Sequence, residues 1–347
     1  MSEPVAIVGA GAVSAYGVRW RGLGEALIAG SLPLGPSDEL RGSHPGVLCS
    51  AVGEMPSSLD AGDARARKLM SRAARFGAIA IREALLDAGF SDRRETIGAW
   101  MGVGASGAAM QDVPAILAES VRDGALSLES LGERGIAACN PLFAFQTLTN
   151  FPLCHGAILE GLGGPNGAFF SRGAGTATAL AEAAHSLREG SCDRAVAGAA
   201  DTALHPVTWA ELVRGGFARQ GLIPGEGAAV LALCRQSDRA LALLASVAVT
   251  PEGGDISSLQ LPAHADLVVL APWGAPARAF LHDLVASRCV AKRTTDITAS
   301  LGDSLAAAPA LAWVAALDLL GRSETAVVLS AGTDGSIACV VLRRSGA

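Results

Sequence analysis

Residues 164–201 constrain the fold of this chain most strongly, because they read as strand, glycine-rich turn, helix and second strand. The apolar run 167–170 leads into a tight turn, and residues 176–189 carry Ala and Leu at helical spacing. In α/β enzymes such an elbow places a nucleophile at a helix N-terminus, where free N–H groups favour an anion. The residue expected to face the pocket here is Gly173, which has no side chain to react.

Composition excludes several classes of function. Of the 347 residues, 50% are hydrophobic and 17% are charged, and the formal net charge is −6. These values predict a large buried core and no broad basic surface for nucleic acid. The seven scattered cysteines contain no Cys-x-x-Cys pair, so we expect reduced thiols in a cytoplasmic protein and no structural zinc site. We also expect no membrane insertion, since the apolar run 305–317 is too short to span a bilayer.

Strands and helices alternate along the chain in two similar series, which predicts a mostly parallel sheet covered on both faces. We expect one half over residues 1–240 and a second half over residues 241–347. The expected strands are residues 5–8, 97–103, 167–170, 194–200, 228–233, 243–249, 267–270, 327–329 and 337–342. The expected helices are residues 20–30, 67–90, 176–189, 277–286 and 304–320.

The elbow closely resembles the nucleophile region of the β-ketoacyl-acyl-carrier-protein synthases, a branch of the thiolase superfamily. Residues 164–201 align with that region without a gap, and the family's nucleophilic cysteine falls on Gly173. Weaker matches follow in order along nearly the whole chain, at residues 5–11, 67–90, 150–156, 221–233 and 332–336. The resemblance implies an α/β, thiolase-like fold, in which duplicated βαβαβ halves form a five-layer αβαβα sandwich. The second half is shortened in this chain.

The same resemblance implies further chemical positions, and this chain has replaced each of them. The two family histidines fall on Pro272 and Asp303, the supporting lysine falls on Thr298, and the gating phenylalanine falls on Ser330. Proline has no side-chain donor, and Asp303 as an anion would repel an enolate. We therefore expect no condensing activity from the chain alone, and no cofactor or metal ion.

A ketosynthase-like chain without these groups resembles the chain-length factor. This is the inactive partner of an active ketosynthase in type II polyketide synthases, including those that make polyenes. The resemblance implies a heterodimer or heterotetramer in a polyketide or fatty-acid pathway. It also implies that the loop after the strand at residues 97–103 lines the partner's acyl tunnel. The residues of that loop expected to face the acyl chain are Ala105, Ala108, Ala109, Met110 and Gln111, of which Met110 or Gln111 would stop the chain.

A concentrated basic segment stands out in this acidic chain. It contains Arg65, Arg67, Lys68 and Arg72. Condensing enzymes bind the acidic acyl carrier protein at a similar place, so the resemblance implies a docking surface here. The alternative of a solvated helix face is equally compatible with the pattern.

Two other functions stay open on the sequence alone. One is an active acyltransferase or thioesterase that uses Ser171 or Cys154 as its nucleophile. Cys154 precedes His155 directly, but adjacent residues point in different directions and rarely activate each other. The other is a non-catalytic acyl-binding homodimer.

Overall fold

The structure is a computed structural model that describes residues 3–30, 33–55, 64–105, 107, 110–170 and 174–344. In this part of the chain, ten long strands and the two-residue strand Gly17–Val18 form one 11-stranded sheet. The long strands are β1 (Val5–Ser14), β2 (Gly98–Val103), β3 (Asn166–Phe170), β4 (Arg194–Thr202), β5 (Glu226–Cys234), β6 (Ala242–Thr250), β7 (His264–Ala271), β8 (Val290–Asp296), β9 (Thr325–Ala331) and β10 (Ile337–Arg343).

The sheet is built from two copies of one strand order. The first half runs β3-β2-β4-β5-β1, and the second runs β8-β7-β9-β10-β6, so each strand matches the one five places later. The halves meet where β1 pairs antiparallel with β6, from Val5 opposite Leu244 to Ile7 opposite Ala242. The division into domains at residue 240 stays a prediction, because the largest hydrophobic cluster contains residues of both halves.

The longer helices in the described part of the chain fill the connections between these strands. They are α1 (Arg72–Ala88), α2 (Val113–Ser120), α3 (Phe151–Glu160), α4 (Ala174–Arg188), α5 (Pro206–Arg214), α6 (Gly274–Arg288) and α7 (Ala307–Leu319). Shorter helical segments are Leu23–Ile28, Asp38–Arg41, Ala64–Leu69, Arg94–Thr96, Met110–Asp112, Leu128–Ser130, Leu131–Gly135, Phe143–Gln146, Ala218–Gln220, Ile256–Leu259 and Thr298–Leu301. Two small hairpins pair Gly35–Pro36 with Leu48–Cys49 and Val121–Arg122 with Ala125–Leu126. Among the described helices, none has the length and apolar character needed to cross a bilayer.

Helices α4 and α7 form a middle layer between the two half-sheets. Each contacts strands of its own half and of the other: α4 contacts β2 and β6, and α7 contacts β7 and β5. The sequence of α7 is apolar on every side, and its residues 307–317 are buried, which suits a helix enclosed by two sheets. Helix α1 covers the outer face of the first half, and α6 covers that of the second. The five-layer αβαβα arrangement is therefore confirmed.

The expectation of a mostly parallel sheet is wrong. Parallel pairing is confined to β3-β2-β4 and β8-β7-β9, whereas the other neighbouring pairs along the sheet are antiparallel. The antiparallel pairing of β9 with β10 has a local cause. A tight turn joins the two strands, in which the Gly332 N–H donates to the Ser336 carbonyl. A short turn can join only antiparallel strands, since parallel strands need a crossover.

The helix expected before α1 and the edge strand β8 also differ from the sequence prediction. The helix expected over residues 67–90 is broken before α1, where the Ser71 hydroxyl accepts a hydrogen bond from the Ala74 N–H at 3.3 Å and caps a new helix. Strand β8 was not predicted, because it is an edge strand with exposed polar residues such as Lys292 and Arg293 and lacks a regular apolar pattern.

A buried ion pair fixes α1 to the sheet. The Arg72 guanidinium donates to both carboxylate oxygens of Glu226, with Nε–Oε2 at 2.7 Å and Nη2–Oε1 at 2.6 Å. The side chain of Glu226 is fully buried and also accepts from the Val52 N–H at 2.9 Å and the Thr202 hydroxyl at 3.0 Å. Among these partners only Arg72 is a cation, so the buried negative charge of Glu226 depends on it.

Replacing Arg72 with Met is expected to lower the free energy of unfolding by about 3–5 kcal/mol, because it leaves the buried Glu226 carboxylate without a cation. Urea denaturation followed by circular dichroism measures the change. Lys68→Met is the matched control, since Lys68 is exposed on the preceding helix. Equal stabilities of the two variants would contradict this role of Arg72.

Candidate functional site

The described residues at the expected catalytic positions lie along one edge of the second half-sheet. Pro272 directly follows β7, Thr298 lies two residues beyond β8, and Ser330 lies near the end of β9. The carboxyl ends of neighbouring parallel strands meet at the same edge, and Ala271 stands opposite Ser330 in the register of β7 and β9. All three side chains are buried. The structure therefore brings these positions together.

The elbow of the first half reaches the same place. Helix α4 begins at Ala174, directly after Gly173. Gly173 and Ser171 both lie outside the described residues. The Thr176 hydroxyl in the first turn of α4 donates to the Ala306 carbonyl at 2.7 Å. The Ala306 N–H donates in turn to a carboxylate oxygen of Asp201, at the end of β4, at 3.1 Å. These hydrogen bonds join the elbow helix to the loop that carries Asp303.

Asp303 is a buried carboxyl group with one side-chain hydrogen bond. The Ile223 N–H donates to Oδ2 at 3.2 Å, whereas Oδ1 has no partner among the described residues. Burial raises the pKa of Asp303 to about 8, although the nearby Arg278 guanidinium acts in the opposite direction. The group is therefore mainly neutral at pH 7. The expectation of an anion that repels an enolate is wrong, because desolvation disfavours the charged form.

Thr298, at the expected lysine position, belongs to a closed polar network. The Arg278 guanidinium donates to Asp296 through Nε at 2.6 Å and to the Thr298 hydroxyl through Nη2 at 2.9 Å. The Thr298 hydroxyl and N–H both donate to the other carboxylate oxygen of Asp296, at 2.7 and 2.8 Å. The cation next to the expected lysine position is thus Arg278, and its guanidinium is already paired with the Asp296 carboxylate.

The described side chains of this arrangement can donate and accept hydrogen bonds, but they include no activated nucleophile. Its described side chains are a neutral carboxyl group, two hydroxyl groups and a proline. The described residues also contain no group of three or more His, Cys, Asp or Glu side chains arranged to hold a metal ion. Sequence reasoning missed Arg278, whose position four residues into α6 has no distinctive local pattern.

Two adjoining cavities flank the loop that follows β2. Met110 and His205 line both of them. The larger, of about 350 Å³, has a mixed polar and apolar lining that includes Arg72. The smaller, of about 200 Å³, includes the apolar side chains of Ala105, Met110, Val113, Phe143 and Val207. Ala108, Ala109 and the side chain of Gln111 lie outside the described residues.

His205 fixes one point of this loop and was also missed from the sequence. A Cβ atom added to Gly107 would lie 2.2 Å from Cδ2 of the His205 ring. Only glycine therefore lets the loop pack this closely against the imidazole. The sequence could have indicated its place at the start of a helix, because His205 directly precedes Pro206.

The basic segment divides into two parts in the structure. Lys68 is exposed and Arg67 is partly exposed, whereas the side chain of Arg65 lies outside the described residues. Arg72 differs from the expected surface cation, because its charge is compensated by the buried Glu226 carboxylate.

Cys154 and His155 lie on α3 and show no sign of mutual activation. Burial raises the pKa of the Cys154 thiol and lowers the pKa of the His155 imidazole. In the described part of the chain, Nε2 of His155 has no hydrogen-bond partner, and its ring packs edge-on against Phe151 with centroids 4.6 Å apart. A thiol with a raised pKa is a poor nucleophile at neutral pH.

Comparison with known proteins identifies this scaffold. Residues 2–239 match the family model described as "Beta-ketoacyl synthase, N-terminal domain". The solved structure of the ishigamide ketosynthase/chain length factor superposes with a TM-score of 0.80 at 22% identity, covering 99% of this chain and 100% of the other. The PfaC ketosynthase–chain length factor gives 0.77 at 17% identity, covering 99% of this chain and 48% of the other.

A further match comes from a complex described as a type II PKS acyl-carrier protein with its ketosynthase bound to the hexaketide. One of its chains superposes with a TM-score of 0.74 at 13% identity, covering 99% of this chain and 100% of that chain. These likenesses establish a shared fold. No curated protein sequence matches this chain significantly.

The raised pKa of Asp303 predicts a specific dependence of stability on pH. Between pH 4 and 8 the unfolded chain loses the Asp303 proton while the folded protein keeps it. This group therefore stabilises the fold fully below pH 4, and that contribution is lost progressively as the pH rises to about 8. Asp303→Asn should remove that slope and leave the variant more stable than the wild type at pH 8.

Urea unfolding at pH 5, 6.5 and 8 measures this slope. Asp283→Asn serves as the control, because Asp283 is exposed on α6. The interpretation fails when Asp303→Asn and the wild type lose stability in parallel over this range.

Proposed function

The chain belongs to the β-ketoacyl synthase family, and we propose that it is a chain-length factor, a ketosynthase-like subunit without condensing residues. The observation that carries this proposal is the set of side chains at the catalytic edge of the second half-sheet. Pro272, Thr298, Asp303 and Ser330 are buried there, and the polar groups of Thr298 are bonded to Asp296 and Arg278. A set of this kind contributes packing and shape to a complex rather than chemistry.

The chemistry of condensation explains why these substitutions matter. A condensing enzyme needs a thiolate that carries the acyl chain and imidazoles that stabilise the enolate formed on decarboxylation. Gly173 in the sequence cannot form a thioester, and Pro272 cannot donate a hydrogen bond from its side chain. A neutral Asp303 can donate one hydrogen bond, but a single carboxyl group does not replace a thiolate and the imidazoles.

An exposed sheet edge favours the presence of a partner subunit. Strand β3 is the outer strand of the first half, and within the described residues it pairs only with β2. Its Asn166, Ala168 and Phe170 are exposed, Phe170 to 56%. A free edge with an exposed aromatic side chain is suited to pairing with another chain. We infer that the active ketosynthase covers this edge in a heterodimer or heterotetramer.

The loop after β2 supplies the proposed role in chain length. Ala105 and Met110 line an apolar cavity of about 200 Å³, and Gly107 holds the loop against His205. We propose that this loop, with Ala108, Ala109 and Gln111, bounds the acyl tunnel of the partner. The product would be a polyketide, including a polyene, or a fatty acid. The rival nucleophile Cys154 gains no support, since burial raises the pKa of its thiol.

Co-expression with a Cys-bearing ketosynthase from the same genome tests the proposal. We expect the two chains to purify as one complex, with the acyl group found by intact mass spectrometry only on the ketosynthase after incubation with an acyl carrier protein. A Cys154→Ala variant should give the same result. The proposal is overturned by a stable homodimer that ignores the ketosynthase, or by an acyl adduct on this chain.

The basic segment gives a second test of the complex. Arg67→Glu combined with Lys68→Glu should weaken binding of acyl carrier protein about tenfold at low salt, because these side chains attract its acidic surface. The effect should shrink as ionic strength rises. Arg239→Glu is the control, since Arg239 is exposed in the connection between the two half-sheets. Unchanged binding in the double variant would leave this segment as a solvated helix face.

A further inference from the structure

The two cavities that share Met110 and His205 differ in the chemistry of their walls. The smaller cavity combines Thr147, Thr208 and Glu211 with the apolar side chains of Val113, Phe143 and Val207. We call it the apolar cavity. The larger one, which we call the charged cavity, has six further polar or charged side chains in its described lining, namely Asp38, Glu39, Ser71, Arg72, Gln146 and Thr202. Met110 and His205 therefore stand at the boundary between two different environments.

Three hydrogen-bond donors of the charged cavity are already engaged within the protein. The Arg72 guanidinium donates to both carboxylate oxygens of Glu226, at 2.7 and 2.6 Å, and the Thr202 hydroxyl donates to the same carboxylate at 3.0 Å. The side-chain amide of Gln146 donates to the Lys68 carbonyl at 3.1 Å. The positive charge of Arg72 is thus compensated by Glu226 and attracts a ligand only weakly.

The carboxylates of the charged cavity are less fully engaged. Asp38 is exposed and pairs with Arg41 through one oxygen at 2.6 Å. Glu39 is also exposed, and in the described part of the chain no cation lies within 4 Å of its carboxylate. The wall therefore has an excess of negative charge and of hydrogen-bond acceptors. Such a wall suits a ligand group that donates hydrogen bonds, and it disfavours another carboxylate.

We propose that the charged cavity receives the far end of an acyl chain that carries a hydroxyl or amino group there, an inference that rests on the proposed function. That function places the chain along the loop after β2, and the charged cavity continues from the apolar cavity beyond Met110 and His205. Polyketide and fatty-acid chains grow at their thioester end, so their far end is the starter unit. The starter unit of this system is therefore a hydroxyacyl or aminoacyl group.

The boundary at Met110 and His205 makes this preference depend on chain length. A chain that ends before the boundary leaves its far end among mainly apolar side chains, where a hydroxyl group loses water and gains little. A longer chain carries its far end past the boundary, where a hydroxyl group can donate to Glu39. A methyl end at that place covers polar groups without bonding to them. The advantage of the hydroxyl end should therefore rise with length.

Transfer of acyl groups to the ketosynthase in the co-expressed complex tests the inference. Acyl carrier protein is loaded with saturated chains from hexanoyl to hexadecanoyl that end in a methyl, hydroxyl or carboxylate group. In the transfer, the acyl carbon exchanges the sulfur of the carrier for that of the ketosynthase cysteine, and the carrier is left as a thiol. Intact mass spectrometry gives the rates. The ratio of hydroxyl-ended to methyl-ended rates should rise at least about tenfold from the shortest to the longest accepted chain. The longest carboxylate-ended chains should transfer about tenfold more slowly than the hydroxyl-ended ones.

Two variants locate the effect in the charged cavity. Glu39→Gln removes the charge and keeps the size, so it should speed transfer of the long carboxylate-ended chains at least about fivefold. Glu25→Gln is the matched control, because Glu25 is exposed on the segment Leu23–Ile28 and is not among the residues that line either cavity; all rates should stay within twofold of the wild type. Met110→Trp fills the boundary and should abolish the rise of the ratio with length. Circular dichroism and co-purification with the ketosynthase verify that each variant is folded.

The outcomes separate this inference from the proposed function. A ratio that stays constant with chain length, or faster transfer of carboxylate-ended than of hydroxyl-ended chains, overturns the inference and leaves the proposed function intact, because the complex still loads acyl groups. Unchanged transfer of the carboxylate-ended chains in Glu39→Gln also overturns it. A wild-type chain that binds no ketosynthase overturns both.

Discussion

Burial of two helices between two sheets is the constraint on which the rest of this structure depends. Residues 307–317 of helix α7 are apolar around the whole circumference and buried, so this part of the helix has no face suited to contact with water. Helix α4 contacts β2 on one side and β6 on the other. Each half-sheet therefore completes the core of the other. Because α4 follows the elbow and α7 follows the Asp303 loop, the same layer brings the start of α4 and the Asp303 loop together.

The edge of the second half-sheet that carries Thr298 is stabilised by interactions among its own side chains. The Arg278, Asp296 and Thr298 side chains satisfy one another, and this removes the need for solvent or substrate at that edge. The Asp303 carboxyl group differs, because burial raises its pKa and keeps it mainly protonated at pH 7. Both arrangements avoid an uncompensated buried charge, which is energetically costly inside a protein core.

Much of this architecture could be predicted from the sequence, and the failures have physical causes. The elbow and α4 were recognisable because glycine spacing and apolar periodicity coincide in one short segment. The pairing directions were not, since alternation of strands and helices does not reveal that β5 and β10 return between neighbours. Strand β8 was missed because an exposed edge strand needs no apolar alternation. At the site, the places of Pro272 and Ser330 at the ends of strands could be predicted from the order of the strands along the sequence. The protonation of Asp303 could not, because it depends on burial that no local sequence pattern encodes.

The short pairing of β1 with β6 has a consequence for synthesis on the ribosome. Strand β1 forms first, yet part of its hydrogen-bonding edge is taken by residues Ala242 to Leu244, which emerge much later. Helix α4 likewise waits for β6 and β10 before its second face is covered. The nascent first half therefore exposes an apolar layer until β6 and β10 have been synthesised. The core around α4 can close only after β10 has left the exit tunnel, so a chaperone that shields α4 would have to stay bound until then.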